Sequence, residues 1–172
     1  MREGGATDMA ILRGILAGLI AGAVGAGAMS LVHKGVVAVT SGARPPSAAA
    51  QQEQDEDPTV KVADAITRPL LHRPLPDDKK PLAGNLVHYA FGAGVGGLYG
   101  GLAAVMPRVT RGLGFPFGAA VWLGAHVIMV PALGLAPPPT RQPLPQEGLE
   151  FVMHLVYGAV TELGRRLIRR TL

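Results

Sequence analysis

The chain has 172 residues, 48% of them hydrophobic and only 16% charged, with a formal net charge of +4 and no cysteine. That length suits one domain, and the missing cysteines exclude a disulfide-stapled module, an iron–sulfur cluster, a thiolate zinc site and a cysteine nucleophile. The 24 glycines and 15 prolines are about twice the usual share of each, but a mean hydropathy of +0.30 excludes disorder throughout, which leaves a Gly-rich helical membrane protein.

In chain order, the first uncharged run is Gly14 to His33. It is long enough to cross a bilayer core as a helix, which takes about 20 apolar residues. A secretory signal is the alternative, with Arg2 and Arg13 ahead of it and Ala26-Gly27-Ala28 resembling a cleavage site. Apolar character continues to Val39, broken only by His33 and Lys34, so the segment reads as a retained helix over about 10–39. A polar loop, 41–82, follows. It runs through Arg44-Pro45-Pro46 and Gln51 to Asp57, a stretch expected to be exposed and poorly ordered. Asp57 then Pro58 reads as an N-cap with proline at the first helical position. Val60, Ala63, Ile66 and Thr67 share one face there, with Lys61, Asp64 and Arg68 off it, and Pro69 is expected to end the helix. It lies on the membrane surface as an amphipathic helix or packs over the bundle as a loop helix.

No charge occurs between Pro81 and Pro107, nor between Gly112 and Thr140. These give spans at about 83–106 and 113–135, without the polar face of a soluble core helix. Pro137-Pro138-Pro139 marks a stiff loop. The last candidate, about 149–169, carries Glu150, Glu162, Arg165 and Arg166. Glu162 can pair with both arginines on one helix face, and long arginines near a helix end can snorkel. It reads as a fourth span, with an interfacial helix as the alternative. The fold class is therefore an all-α membrane protein, a single domain over 1–172. It is a bundle of about four transmembrane helices with a surface amphipathic helix in the first loop.

Four spans put both termini on one side. Arg2, Arg13, Arg108, Arg111, Arg165, Arg166, Arg169 and Arg170 lie on that side, against Arg44, Lys61, Arg68, Arg73, Lys79, Lys80 and Arg141 on the other, but most of the latter lie in a long loop mixed with acids, and short loops and helix ends count most toward orientation. Both termini are thus expected in the cytoplasm. The basic balance follows from topology; no basic stripe with interleaved aromatics points to nucleic acid.

Several strings carry a resemblance: His88-Tyr89-Ala90-Phe91-Gly92, Gly97-Leu98-Tyr99-Gly100, Phe115 to Leu123, Pro131 to Leu135, and His154-Leu155-Val156-Tyr157-Gly158 followed by Glu162, Arg165 and Arg166. In order and spacing the chain resembles the YagU-like family of small bacterial inner-membrane proteins, over roughly Asp57 to Arg170. The resemblance implies a multi-pass protein of the bacterial inner membrane and brings no activity, since that family is a domain of unknown function. Some members carry an acidic residue where this chain has His126.

Two rows of small residues recur at intervals of four, a glycine-zipper pattern. One is Gly14, Gly18, Gly22, Ala26 and Ser30; the other is Gly92, Gly96, Gly100 and Ala104. Such rows let helix backbones approach closely in lipid. They pack on each other within the chain or, alternatively, one faces a second copy in a homo-oligomer. A bulky residue at Gly96 should wedge the helices apart, whereas Gly112, in a short loop, should tolerate one.

Four histidines stand one per span: His33, His88, His126 and His154. Depth at 1.5 Å per residue puts them in a loose layer in the outer half of the bundle. Local partners are Ser30 for His33, Asn85 for His88 and Trp122 for His126. Buried ionisable groups in a span usually face the interior. The layer serves as structural glue, as a haem or metal site, or as a proton-responsive element. No His-x-x-x-His or Glu-x-x-His pair stands on one helix, which weakens the metal reading. His154, Gly158, Glu162 and Arg166 share a face of the last helix, so that face should point inward. Glu162 is either part of a proton route with His88 or a plain ion pair at a solvated helix end. The polar intramembrane cluster is thus His33, His88, His126, His154, Glu162, Arg165 and Arg166. No P-loop, dinucleotide turn or nucleophile elbow is present. The expectation is a non-enzymatic scaffold or a proton- or stress-linked transport component, with a His-based haem- or metal-binding protein as the alternative.

Overall fold

The computed structural model describes residues 2–40 and 57–171, so the expected disordered stretch after Arg44 lies outside the described residues. The described chain is all-helical. Helix α1 is Arg2–Thr40, α2 is Pro58–Leu71 and α3 is Lys80–Val105. Helix α4 begins at Phe115–Val121, widens into π-helical turns over Trp122–Met129 and closes with Val130–Ala132; α5 is Leu144–Arg169. Two of these, Gly5–Thr40 and Phe115–Ala132, are long and apolar enough to cross a membrane. In α3 the glycines dilute hydropathy, and α5 carries three glutamates and its arginines.

The packing is set by residue size. Helices α1 and α3 run antiparallel with their small residues face to face. A Cβ on Gly14 would strike the Gly100 carbonyl, one on Gly18 the Gly96 carbonyl, and one on Gly22 the Gly92 carbonyl. The converse holds for Gly96, whose Cβ would sit 2.7 Å from Gly22 Cα. Each row is therefore occupied by the other, at a backbone separation that no side chain fits. Helix α5 packs on the neighbouring face of α1, where a Cβ at Gly25 would meet the Thr161 hydroxyl at 2.5 Å.

Large side chains point the other way. Leu12, Leu16, Ile20 and Val24 form an outward stripe on α1, between 44% and 56% exposed, while Ala17, Ala21 and Ala26 are buried. Leu98 on α3 and Leu163 and Leu167 on α5 are likewise exposed. In water a contiguous apolar surface of this kind is an association or aggregation site. In lipid it costs nothing, and close packing of small residues becomes the association force.

Helix α4 joins through a turn of three residues with positive φ, Gly112, Leu113 and Gly114. This corrects the expectation for Gly112: its φ is 75° and a Cβ would meet Pro116 Cδ at 3.0 Å, so the position is strained for any larger residue. Beyond the turn, Gly114 and Gly118 press on α5. A Cβ on Gly158 would lie 2.6 Å from Gly118 N, and one on Gly118 would strike the His154 carbonyl.

Helix α2 starts as read, with the Asp57 carboxylate accepting from Thr59 N–H at 2.8 Å. It packs over the start of α3, where Val60 and Thr59 meet Gly84, and Val60 and Ala63 are both buried. Ile66 is 59% exposed and leaves the packed face. Pro69 does not end the helix, which runs to Leu71 and closes on His72 in the left-handed region. A proline so near the C-terminus forfeits a single backbone bond, which the last turn survives. The Asp64 carboxylate then clamps the exit, accepting the Leu75 N–H at 2.7 Å and the Arg68 guanidinium. The Leu75 amide first, and Arg68 second, hold the Asp64 carboxyl below its ordinary range. Lys61 reaches across to the Leu135 carbonyl at 2.8 Å, tying α2 to the end of α4.

Candidate functional site: two polar clusters along the last helix

The antiparallel packing puts the start of α1, the turn between α3 and α4 and the end of α5 at one end of the bundle. The first polar cluster lies just inside that end. Glu162 is fully buried. Its Oε2 accepts Tyr99 Oη–H at 2.9 Å and Arg165 Nε–H at 2.8 Å. Its Oε1 accepts Arg165 Nη2–H at 2.9 Å and Arg166 Nε–H. Four donors fill the roughly four lone-pair sites of a carboxylate. Arg166 also donates to the Thr110 carbonyl at 3.1 Å, joining α5 to the turn before α4. Tyr99 stacks on Phe117 with ring centroids 4.0 Å apart, and the Arg165 guanidinium lies 5.8 Å from the Tyr99 centroid. The expected inward face of α5 is thus observed, but Glu162 is at no solvated helix end: it is an enclosed ion pair bound to both arginines. Glutamate–arginine spacing signalled the pairing. Tyr99, the fourth donor, had no such signal.

Next along α5, Tyr157 donates its hydroxyl to the Gly92 carbonyl at 2.7 Å, and Gly158 closes against α4. This tight middle separates the first cluster from the second.

The second cluster sits near the opposite end. His126, on the widened part of α4, has Nε2 at 3.3 and 3.2 Å from the two Glu147 oxygens. Their side chains are 26% and 11% exposed. The His154 ring lies 5.9 Å from that of His126. His154 Nδ1 donates to the Glu150 carbonyl at 2.7 Å, which fixes the proton on Nδ1 and leaves Nε2 as the acceptor of the neutral ring. Trp122 stacks beside His126 at 6.4 Å and meets Phe151 edge-on at 5.0 Å. Its indole N–H is buried with no acceptor among the described residues. Glu150 lies within electrostatic range of His126, His33 and Glu147, and His154 within range of His88.

The histidine layer is therefore uneven. His126 and His154 are in contact. His88 stands apart and donates to the Ala26 carbonyl at 3.3 Å rather than bonding Asn85. His33 is exposed. Trp122 is a ring neighbour of His126, whose hydrogen-bond partner is Glu147. That partner was hidden in the sequence because it comes from the start of α5, across the proline loop. Among the described residues no group of three or more His, Asp or Glu is arranged to hold a metal ion.

Neither a curated protein nor a solved structure is significantly similar to the chain. A family model described as a protein of unknown function, DUF1440, matches residues 44–163, more than two thirds of the chain. That stretch takes in both polar clusters up to Glu162 and leaves out α1 and the last arginines. The chain belongs to this family of unknown function, DUF1440.

Proposed function

We propose that the protein is a four-span, non-enzymatic component of a bacterial inner membrane, with both termini cytoplasmic, that responds to protons through its His126–Glu147–His154 cluster. The YagU-like identity belongs to the same proposal and rests on the strings quoted above. The membrane reading is supported by the inverted size pattern, small residues inward and large apolar ones outward, on α1, α3 and α5. The arginines of the first end, facing the cytoplasm, fit the positive-inside rule.

One observation carries the proton reading. His126 holds both Glu147 oxygens within 3.3 Å, at partial exposure, beside a second histidine. Histidine is the side chain whose ordinary titration lies near neutrality. Charge on His126 is compensated by Glu147 and Glu150 and opposed by charge on His154; His33, His88 and, from the start of α2, Asp57 are the further ionisable groups in range of the cluster. Protonation there changes the attraction between α4 and the start of α5. Glu162 offers no such change, since its lone pairs are spent on fixed donors, so the proton route drawn through Glu162 moves to the opposite end of α5.

The chain's one tryptophan reports on this directly. Trp122 stacks on His126, and an imidazolium quenches an adjacent indole more than a neutral ring does. In nanodiscs, Trp122 emission should fall as pH drops from 8 to about 5. His126→Gln should abolish the fall, and Glu162→Gln should leave it. A pH-independent emission from the unsubstituted chain would rule out the proposal.

A further inference from the structure

We infer that the arginine cleft at the end of α5 binds the phosphate of an anionic lipid headgroup. Arg165, Arg166, Arg169 and Arg170 line an open cleft of about 310 Å³. Among the described residues the ion-pair partner of these four cations is Glu162 alone. Two of them are pre-oriented. Arg165 spends Nε and Nη2 on Glu162, and Arg166 spends Nε on Glu162 and Nη2 on the Thr110 carbonyl. Neither uses Nη1 in these bonds, and the Arg166 side chain, 41% exposed against 6% for Arg165, presents it more openly. Arg169 and Arg170 make no ion pair among the described residues and are exposed. A buried carboxylate that fixes two guanidinium planes while two exposed ones stand a turn away is a receptor for an oxyanion, which guanidinium groups bind through paired N–H donors.

A lipid is favoured over a free anion by what surrounds the cleft. Leu163 and Leu167 on the same helix are 55% and 65% exposed, and Leu113 on the adjoining turn is 50% exposed. Acyl chains can lie along these while the phosphate sits among the arginines, as in basic pockets at the cytoplasmic ends of membrane helices. The inference rests on the membrane reading and is independent of the histidine cluster.

Native mass spectrometry of the full chain, released from neutral-detergent micelles, tests it. The probes are equal amounts of dioleoylphosphatidylglycerol and dioleoylphosphatidylcholine. One phosphatidylglycerol should be retained in preference. The double variant Arg169→Gln/Arg170→Gln should weaken that retention about thirty-fold, at the usual worth of two surface cations near an anionic lipid. Arg73→Gln/Arg141→Gln, exposed charges at the opposite end, should leave it unchanged. Equal retention of the two lipids, or retention unaltered in the arginine variant, overturns the inference. Displacement by inorganic phosphate at the lipid's own concentration also overturns it, in favour of a free-anion site. If the double variant does not fold, ionic strength decides: added salt should release phosphatidylglycerol alone, and salt-independent retention contradicts the site. A chain that stays monodisperse without detergent would instead refute the membrane reading itself.

Discussion

Each end of α5 carries a glutamate among basic partners, and the two ends use it in opposite ways. At Glu162 a carboxylate is fully buried, and four donors from Tyr99, Arg165 and Arg166 saturate it. At Glu147 a carboxylate is partly exposed and shares a single imidazole. The first arrangement locks α3 to α5 through one charge, and Arg166 ties that charge to the α3–α4 turn by donating to the Thr110 carbonyl. The second leaves a partly exposed imidazole–carboxylate contact between α4 and the start of α5. An ionisable residue on a packed apolar helix is therefore not a functional site by its presence alone. The number of fixed donors on it, and the access of water to it, separate a lock from a switch.

The largest effects should come from the contact that both ends depend on. Gly96→Leu places a side chain where even a Cβ would lie 2.7 Å from Gly22 Cα, whereas Gly94, on the same helix, has nothing within 4 Å. Overpacking costs about 1–3 kcal/mol where neighbours can shift, and backbone cannot shift as a side chain does. Gly96→Leu should lose its folded fraction in detergent and Gly94→Leu should keep the unsubstituted melting temperature. Equal melting of the two variants would deny that the glycine rows are the contact surface. Gly112 is no control for this pair, since its positive φ penalises the same change.

The lock comes next. Glu162→Ala leaves Arg165, 5% exposed, as a buried charge without its counter-ion. Breaking a buried pair on one side costs about 3–5 kcal/mol. Thermal unfolding should show a loss of that order, together with increased amide exchange in the Pro107–Thr110 turn, which Arg166 holds at Thr110. A stability change under about 1 kcal/mol would place Glu162 among exposed ion pairs after all.

The smallest effect concerns the Asp64 clamp outside the bundle. Its carboxyl is depressed by the Leu75 amide and Arg68, so the clamp's contribution is complete above the ordinary aspartate value of about 3.9 and disappears only as pH falls through the lower folded value. Amide exchange at Leu75 should be insensitive to the clamp's protonation between neutrality and about pH 4, and should speed up only as pH falls on through the lower folded value. Asp64→Asn should exchange faster at neutral pH already. Equal protection in the two proteins would remove the clamp.

Much of the fold was legible because its signals are local. A period of four in small residues set which faces of α1 and α3 meet, and Asp57-Pro58 set the start of α2. The pairing of Glu162 with Arg165 and Arg166 was local too. What was hidden depends on turns and on distant segments. Glu147 reaches His126 only because the loop after Ala132 returns α5 against α4. Tyr99 finds Glu162 from another helix. The Gly114–Gly158 approach depends on three successive positive-φ residues, of which Leu113 gives no sequence cue. Pro69 misled because a proline in a last turn costs far less than one in mid-helix.

The contrast between the two ends is tested most directly by hydrogen exchange of the nanodisc-embedded chain at pH 8 and about pH 5, corrected for the intrinsic pH dependence of exchange. Protection should change in Trp122–Met129 and in the first turns of α5 from Leu144, and should stay constant around Tyr99 and Glu162. Equal responses at both ends, or a change confined to the Glu162 end, would contradict the account.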